Sequence, residues 1–216
     1  MMNILSKYKE IRSEVSDDVK ILVVIKSRSK AEVLEAISAG VKDIGGNYVR
    51  ESLNLYSELG DVAKSINWHL IGHLQRNKVN NVLGVFDVVQ TLDSLKLARA
   101  LDSRVKEVLP VFIEVNIAGE ESKNGVEFSK VKEFIVSLSE FSNLKIQGLM
   151  CVEPRVDNPR EYFKSMKELF EECKLIEQDN LNLKFLSMGM SNSYKIAIEE
   201  GSNMIRIGSS IFGERR

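Results

Sequence analysis

Short apolar runs alternate with amphipathic stretches along the chain. The apolar runs have the length and composition of buried strands, and between them apolar residues recur every three to four positions, which predicts helices. The eight predicted strands are residues 19–26, 41–47, 66–72, 85–92, 109–117, 144–152, 183–189 and 203–208. The predicted helices are residues 1–15, 29–40, 48–59, 75–83, 93–108, 128–141, 158–178 and 192–201.

This alternation predicts an α/β fold with a parallel sheet and helical crossovers. Eight strand–helix units in 216 residues fit a closed (β/α)8 barrel of the TIM type with an extra N-terminal helix, near the lower end of the usual size of about 250 residues. An open doubly wound sheet is the alternative. The strand count favours the barrel, and so does the short tail after the last strand, because strand 8 of a closed barrel pairs with strand 1. No linker or break in composition divides residues 1–216, so we predict one domain.

Charge and hydropathy narrow the classes of function. Thirty basic residues against 31 acidic ones give a net charge of −1, which argues against a nucleic-acid surface, since binding phosphates needs clustered excess cations. No apolar run is long enough to span a bilayer, and the first residues lack the apolar centre of a signal peptide. We therefore expect a cytoplasmic protein that binds neither nucleic acid nor membrane. Cys151 and Cys173 lack a metal or redox spacing, which predicts free thiols.

The two histidines are a candidate metal pair. His69 and His73 are four residues apart, so a helix would bring them together. The surrounding residues, however, predict a strand that runs into a turn, and no carboxylate is near in sequence. We therefore predict no metal site.

A lysine, Lys26, ends the first predicted strand. Side chains alternate along a strand, so Lys26 shares a face with Val24 and Leu22, and Ile25 takes the other face. The carboxyl ends of the strands carry the active site in barrels of this type. A desolvated lysine amine there is a nucleophile that can form a Schiff base with a carbonyl. The alternative is a lysine that simply reaches into solvent.

Polar residues at the last two strands favour the first interpretation. Arg206, Gly208 and Ser209 end strand 8, which neighbours strand 1 in a closed barrel, and Ser191 follows strand 7. Loops after these strands often bind phosphate. A lysine, an arginine and a phosphate-binding loop in one mouth predict a phosphorylated carbonyl ligand. Pyridoxal 5′-phosphate (PLP) fits better than a sugar-phosphate aldehyde, whose sites usually need additional acid or base groups. Alternatively, the Gly-Ser-Ser segment is an ordinary turn.

Six ordered blocks carry a resemblance to a known family. They are VVIKS (23–27), IGGNYVRE (44–51), WHLIGHLQRNK (68–78), VNIAGEESKNGV (115–126), IQGLMCV (146–152) and the segment from Leu186 to Arg215. With these blocks the chain resembles the pyridoxal-phosphate homeostasis proteins, or YggS-like family, which are similar to the barrel domain of fold-type III alanine racemase.

The resemblance implies roles for six positions. Lys26 would hold the cofactor as an internal aldimine, and Arg206 would face the pyridine nitrogen. Ser191 and the backbone amides of Gly208 and Ser209 would hold the phosphate. Asn47 would contact the ring.

Three positions depart from the family pattern. Ile25 replaces a small polar residue, and alternation directs it away from the cofactor. Gly46 and Ser193 stand where the family usually has acids. These two changes put in doubt the roles of those acids, but not cofactor attachment.

Two functions compete. The first is a PLP-binding protein of vitamin B6 homeostasis, a monomer without dedicated turnover, whose partners would include apo forms of PLP enzymes. The alternative is a PLP-dependent amino-acid racemase, which needs proton-transferring groups on both faces of the substrate carbon. Racemases of this fold type take the second group, a tyrosine, from another domain. Tyr48 and Tyr194 are the nearest candidates in this sequence, which ends at Arg216, and we favour the first function.

Overall fold

Parallel strands close into a barrel in the computed structural model, which describes residues 3–214. The strands are β1 Lys20–Val24, β2 Asp43–Gly46, β3 Asn67–Leu70, β4 Val88–Leu92, β5 Leu109–Asn116, β6 Val126–Glu127, β7 Leu144–Cys151, β8 Leu181–Met190 and β9 Met204–Ile207. The order is β4-β3-β2-β1-β9-β8-β7-β5, and pairing of β4 with β5 completes the ring. The short β6 pairs only with the end of β5. The prediction of a (β/α)8 barrel is confirmed.

Helices surround this barrel. They are α1 Ile4–Glu14, α2 Lys30–Ser38, α3 Val49–Leu59, α4 Val79–Val82, α5 Leu95–Asp102, α6 Val131–Ser137, α7 Arg160–Cys173, α8 Tyr194–Glu199 and α9 Ser209–Phe212. Short 3₁₀ turns cover Gly60–Ser65, Arg76–Lys78 and Phe128–Lys130. Helix α1 is the extra helix ahead of the first strand, although residues 1 and 2 of that prediction lie outside the described residues. Helix α9 was not predicted.

Alternation along the strands divides the core into two layers. On β1, Ile21 and Val23 belong to the large apolar cluster shared with the helices. Facing the other way, Phe112, Met150 and Met204 form a separate cluster inside the barrel. Each fully buried side chain of this size contributes about 1.5–3 kcal/mol through removal from water. The inner cluster therefore fills the centre and leaves the carboxyl ends of the strands free to form a site.

The helical segment after β4 is shorter than predicted. The expected helix over residues 93–108 ends at Asp102, with Ser103 as its C-cap. The buried face of this helix consists of Leu97, Ala98 and Leu101. No comparable group of buried apolar residues follows, since Val108 is 57% exposed. Residues 103–108 instead return the chain to the amino end of β5. The prediction of helix over these six positions was wrong.

Both cysteines are buried free thiols, as predicted. Burial raises the pKa of Cys151 to about 12 and that of Cys173 to about 11, so neither is a ready nucleophile. Across residues 3–214, none of the helices combines the length and the apolar character needed to cross a membrane.

Candidate functional site

A cavity of about 720 Å³ opens at the carboxyl ends of β7, β8, β9 and β1. Five of the six predicted site residues line it: Lys26, Ser191, Arg206, Gly208 and Ser209. The barrel therefore joins residues from the two ends of the chain, because β1 pairs with β9.

Lys26 extends from the end of β1 into this cavity. The preceding residue continues the strand, since the Ile25 amide donates to Gly45 O at 3.0 Å. Ile25 is 2% exposed and belongs to the core shared with the helices, whereas Val24 lines the cavity with Lys26. The alternation argument is confirmed. The Lys26 Nζ lies 4.8 Å from the centre of the Tyr48 ring, a favourable cation–π contact.

The turn after Lys26 is strained. Among the described residues Ser27 is the only non-glycine with a positive φ, at 58°. Such a conformation costs about 1–3 kcal/mol and persists where surrounding contacts hold it. The Ser27 amide donates to the carboxylate of Glu51 on α3, which is the contact that holds it. Glu51 and Ser27 therefore fix the direction in which Lys26 leaves the strand.

Two backbone amides and a hydroxyl converge beside Lys26. The amides of Gly208 and Ser210 donate to Ser191 Oγ at 3.4 and 3.3 Å. A Cβ on Gly208 would lie 3.4 Å from Val24 Cβ, so a larger side chain would crowd the cavity wall. Ser209 lines the cavity, but the amide that joins that of Gly208 at Ser191 belongs to Ser210.

Arg28 fastens helix α9 to the loop that carries Lys26. Its Nη2 donates to Gly213 O, just beyond α9, at 2.6 Å. Its guanidinium lies 5.0 Å from the centre of the Phe212 ring, and Nη1 lies 3.4 Å from Glu32 Oε1. The side chain is only 7% exposed. Arg28 therefore holds the element that presents the Gly208 and Ser210 amides.

Arg206 is a buried cation in the wall of the cavity, 4% exposed. Its Nη1 donates to Ser187 O and Ser187 Oγ at 2.8 and 2.9 Å, and Nη2 donates to Cys151 O at 2.7 Å. Burial lowers the pKa of the guanidinium below its ordinary value. An arginine pKa starts so high that the group stays charged near neutral pH.

Glu114 is a second buried ionisable group near this wall. Burial raises its pKa to about 7, and the neighbouring charge of Asp93 adds to the rise while Arg206 opposes it. Its Oε2 is buried and has no hydrogen-bond partner within residues 3–214. A carboxyl group in such surroundings takes up a proton near neutral pH.

Asn47 stands apart from the other five predicted site residues. It follows β2 and does not line the cavity. Its Oδ1 is buried and finds no hydrogen-bond partner in the part of the chain that the structure describes. The structure thus leaves an unsatisfied polar atom at Asn47, outside the lining of the cavity but next in sequence to Tyr48, whose ring contacts Lys26.

The two histidines lie in different environments. His69 lies inside the barrel and is 3% exposed, with Nε2 at 3.3 Å from Asp43 Oδ1. His73 is largely outside, and its Nδ1 lies 3.4 Å from Asp93 Oδ2. Both carboxylates are distant in sequence, so sequence reasoning missed them. Within residues 3–214 no cluster of three potential metal ligands occurs.

The candidate tyrosines occupy different places. Tyr48 is 54% exposed beside Lys26. Tyr194 is buried, and its hydroxyl donates to Glu14 Oε2 on α1 at 2.6 Å. Burial and this hydrogen bond raise the pKa of Tyr194 to about 12. Tyr194 is therefore held away from the cavity and is a poor proton donor.

Another hollow, of about 790 Å³, lies at the opposite end of the barrel. Residues 83–87 and 104–110, around the starts of β4 and β5, form most of its wall. None of the six predicted site residues reaches it. The carboxyl-end cavity is thus the one where the Lys26 side chain, the buried Arg206 and converging amides meet.

Comparison with known proteins decides the family. The model of the alanine racemase N-terminal domain matches residues 2–216. The pyridoxal phosphate homeostasis protein of Aquifex aeolicus (strain VF5) is 39% identical over 203 residues, which cover 91% of this chain and 87% of that protein. The chain belongs to the pyridoxal phosphate homeostasis protein family.

Solved structures agree with this membership. PipY of Synechococcus elongatus PCC7942, in the structure with PLP bound, has a TM-score of 0.89 and 28% identity, and the match covers 98% of this chain and 100% of PipY. Alanine racemase of Clostridium difficile 630 has a TM-score of 0.77 at 15% identity and is covered over 56% of its length. That likeness concerns the barrel fold alone.

The structure shows what surrounds Gly46 and Ser193, the two positions where the resemblance led us to expect acids. A Cβ on Gly46 would lie 2.1 Å from Ser52 Oγ, so helix α3 occupies the space of any side chain there. At Ser193, a carboxylate comes from elsewhere, because Ser193 Oγ donates to Glu153 Oε1 at 2.5 Å. Glu153 follows β7 and lines the cavity. A carboxylate is thus present beside position 193, from a residue 40 positions earlier.

Proposed function

We propose that this protein binds PLP in the carboxyl-end cavity and serves the intracellular homeostasis of PLP. One observation carries the proposal: Lys26 and Arg206 line the same cavity as Ser191, on which the amides of Gly208 and Ser210 converge. The names of the homeostasis relatives and the PLP-bound PipY structure support it.

The donor set fits three polar groups of PLP: the phosphate, the aldehyde and the ring nitrogen. Two backbone amides donate to Ser191 Oγ. A hydroxyl group together with backbone amides is suited to binding a phosphate. Lys26 supplies an amine for the aldehyde, and Arg206 supplies N–H donors for the ring nitrogen. Tyr48 packs over the lysine amine. Ser27 and Glu51 direct Lys26, and Arg28 steadies α9.

When bound, PLP supplies a reactive aldehyde and an electron-withdrawing ring. An arginine cannot accept a proton from the ring nitrogen as a carboxylate does, so Arg206 favours the unprotonated ring. That weakens electron withdrawal and suits a protein that holds the cofactor. We propose that covalent attachment occurs at Lys26 and that no dedicated turnover follows.

Attachment can be read directly. The PLP-loaded protein is reduced with borohydride and its peptides are mapped by mass. We expect a pyridoxyl group on Lys26, because Lys26 alone among the lysines lines the cavity, and we expect none in a Lys26→Arg variant. Modification of Lys30 or Lys78 in its place, or no modification after saturation with PLP, would refute the proposal.

The recipients of the cofactor are proposed to be apo forms of PLP enzymes, with the protein acting as a monomer. The cavity is open to solvent, so a bound cofactor would remain accessible to a recipient protein. Transfer from the loaded protein to an apo-enzyme, followed as recovery of that enzyme's activity, measures this role.

A further inference from the structure

A run of polar side chains crosses the interior of the barrel. The residues come from five different strands, and they are Asp43 of β2, His69 of β3, Gln90 of β4, Ser187 of β8 and Arg206 of β9. The last four are each less than 5% exposed. Burial of polar groups is costly unless each finds a partner. The strands bring these groups together so that they satisfy one another.

Four hydrogen bonds connect the five side chains. Arg206 Nη1 donates to Ser187 Oγ at 2.9 Å, and Ser187 Oγ donates to Gln90 Oε1 at 2.9 Å. Gln90 Nε2 lies 2.9 Å from His69 Nδ1. His69 Nε2 lies 3.3 Å from Asp43 Oδ1. The result is a chain of hydrogen bonds from a cation at the cavity to a carboxylate at the other end of the barrel.

The two ends fix the direction of every bond in the chain. An arginine only donates, so the Ser187 hydroxyl accepts from Arg206 and directs its own hydrogen to Gln90 Oε1. The Gln90 amide must then donate one hydrogen to His69 Nδ1. The same Nε2 lies 3.3 Å from Met204 Sδ, toward which its second hydrogen is directed. His69 accordingly carries its proton on Nε2 and donates to Asp43, which as a carboxylate only accepts. With a neutral His69 ring, reversing any member would set two donors or two acceptors against each other.

The chain of hydrogen bonds also determines which N–H groups of Arg206 remain available for a ligand. Ser187 O, Ser187 Oγ and Cys151 O take three of its five N–H groups. For Nε and the second Nη2 hydrogen, residues 3–214 supply no hydrogen-bond acceptor. Arg206 lines the cavity, so these two donors are the ones that can reach a bound ring.

We propose that Ser187 and Gln90 are positioning residues, which orient the guanidinium of Arg206 toward the ring nitrogen of the cofactor through the buried chain that ends at His69 and Asp43. This inference rests on the proposed PLP site. It adds that the preference for a ring nitrogen depends on residues that touch no ligand.

The test compares PLP with 1-deazapyridoxal 5′-phosphate, in which a C–H group replaces the ring nitrogen. Both compounds keep the aldehyde and the phosphate, so the ratio of their dissociation constants isolates the interaction at the nitrogen. The intact protein should bind PLP at least about tenfold more tightly than the analogue, as expected for one charge-assisted hydrogen bond. Ser187→Ala and Gln90→Met should each reduce that preference by about three- to tenfold, since they leave Arg206 imperfectly oriented.

Ser202→Ala is the matched control. Ser202 is also buried, at 3% exposure, but its hydroxyl contacts Leu186 O, Met188 O and Met204 O rather than the chain. This variant should lose stability and keep the preference for PLP. A preference unchanged in both Ser187→Ala and Gln90→Met, with both folded, would overturn the positioning role. If the intact protein binds PLP and the analogue equally, the inference fails while the proposed function stands. If it binds neither compound, the proposed function fails.

A measurement on the unmutated protein tests the inference independently of whether the variants fold. The ¹⁵N chemical shifts of the His69 ring distinguish its two neutral forms. The proton is expected on Nε2. A proton on Nδ1 of neutral His69 would break the chain at Gln90 and overturn the inference.

Discussion

Glu114 is a carboxyl group whose proton uptake depends on folding. Its pKa is about 7 in the folded protein, against about 4.3 for an exposed glutamate. Between these two values the folded chain keeps a proton that the unfolded chain has released. The free energy of unfolding therefore falls as pH rises through this window, by up to about 4 kcal/mol.

Glu114→Gln should remove that dependence. In urea unfolding of the cofactor-free protein, we expect the variant to gain stability relative to the wild type as pH rises from about 4.3 to about 7, and to hold the gain above it. Glu140→Gln, at an exposed glutamate, serves as control and should leave the profile unchanged. Parallel pH profiles for Glu114→Gln and the wild type would show that Glu114 is not shielded as the structure indicates.

Individual site residues were predictable where they lie next to one another along a strand end. Lys26 and Arg206 follow from alternation on β1 and from the pairing of the first and last strands. Ser187 and Gln90 could not be found in this way, because β4 and β8 are not neighbouring strands, and the two side chains meet only across the interior of the closed barrel. Glu153 was also missed, since its partner Ser193 lies beyond a whole helix and strand.

Helix α9 is short, and it depends on Arg28 for its placement. Arg28→Gln removes the hydrogen bond to Gly213 O and the contact with the Phe212 ring. We expect binding of PLP and of pyridoxamine 5′-phosphate to weaken by roughly tenfold, whereas binding of pyridoxal, which lacks the phosphate, should change little. Calorimetric titration with the three compounds measures the difference.

Arg12→Gln is the control for this change. Arg12 holds backbone carbonyls in a similar way, donating to Val19 O and Val15 O at 2.8 and 3.0 Å after α1. It does not line the cavity, so its loss should lower stability without altering the preference for a phosphate. Equal weakening of all three compounds in Arg28→Gln would assign Arg28 to Lys26 or to general folding instead of to α9.

Helices with a strong period of hydrophobic residues were predicted well, whereas elements that depend on tertiary contacts were not. Helix α7 shows Phe163, Met166 and Phe170 on one buried face, and such spacing is visible in a sequence. The pairing of β6 with β5 involves only two residues and follows from how the long loop after β5 folds back. Helix α9 has four residues, too few to establish a period.

Within residues 3–214, Lys26 is the lysine that lines the cavity, and neither candidate tyrosine is placed as a matched proton donor on the opposite face. Tyr194 is engaged with Glu14, and Tyr48 lies at the surface beside the same amine. A positioned general acid or base contributes about 10²–10⁴-fold in rate. We therefore expect no substantial exchange of the Cα hydrogen of alanine in deuterated water with the PLP-loaded protein, and no loss of chirality.

Nuclear magnetic resonance and chiral chromatography on one sample measure both quantities. Lys26→Ala, loaded with the same concentration of PLP, gives the background from free cofactor. Rapid exchange with inversion that disappears in Lys26→Ala would establish a racemase, and Tyr48→Phe would then identify the second group.

The pairing of β1 with β9 also affects when the cavity is completed during synthesis of the polypeptide. The lysine is made early, whereas Arg206 and the residues that converge on Ser191 are made about 180 positions later. A growing polypeptide that has left the ribosome only as far as β8 has Lys26 but lacks Arg206 and the amides of Gly208 and Ser210, and its barrel is still open between β1 and β8. Long-range pairing of this kind is slow to form. The addition of β9 therefore closes the barrel and completes the wall of the cavity in the same step.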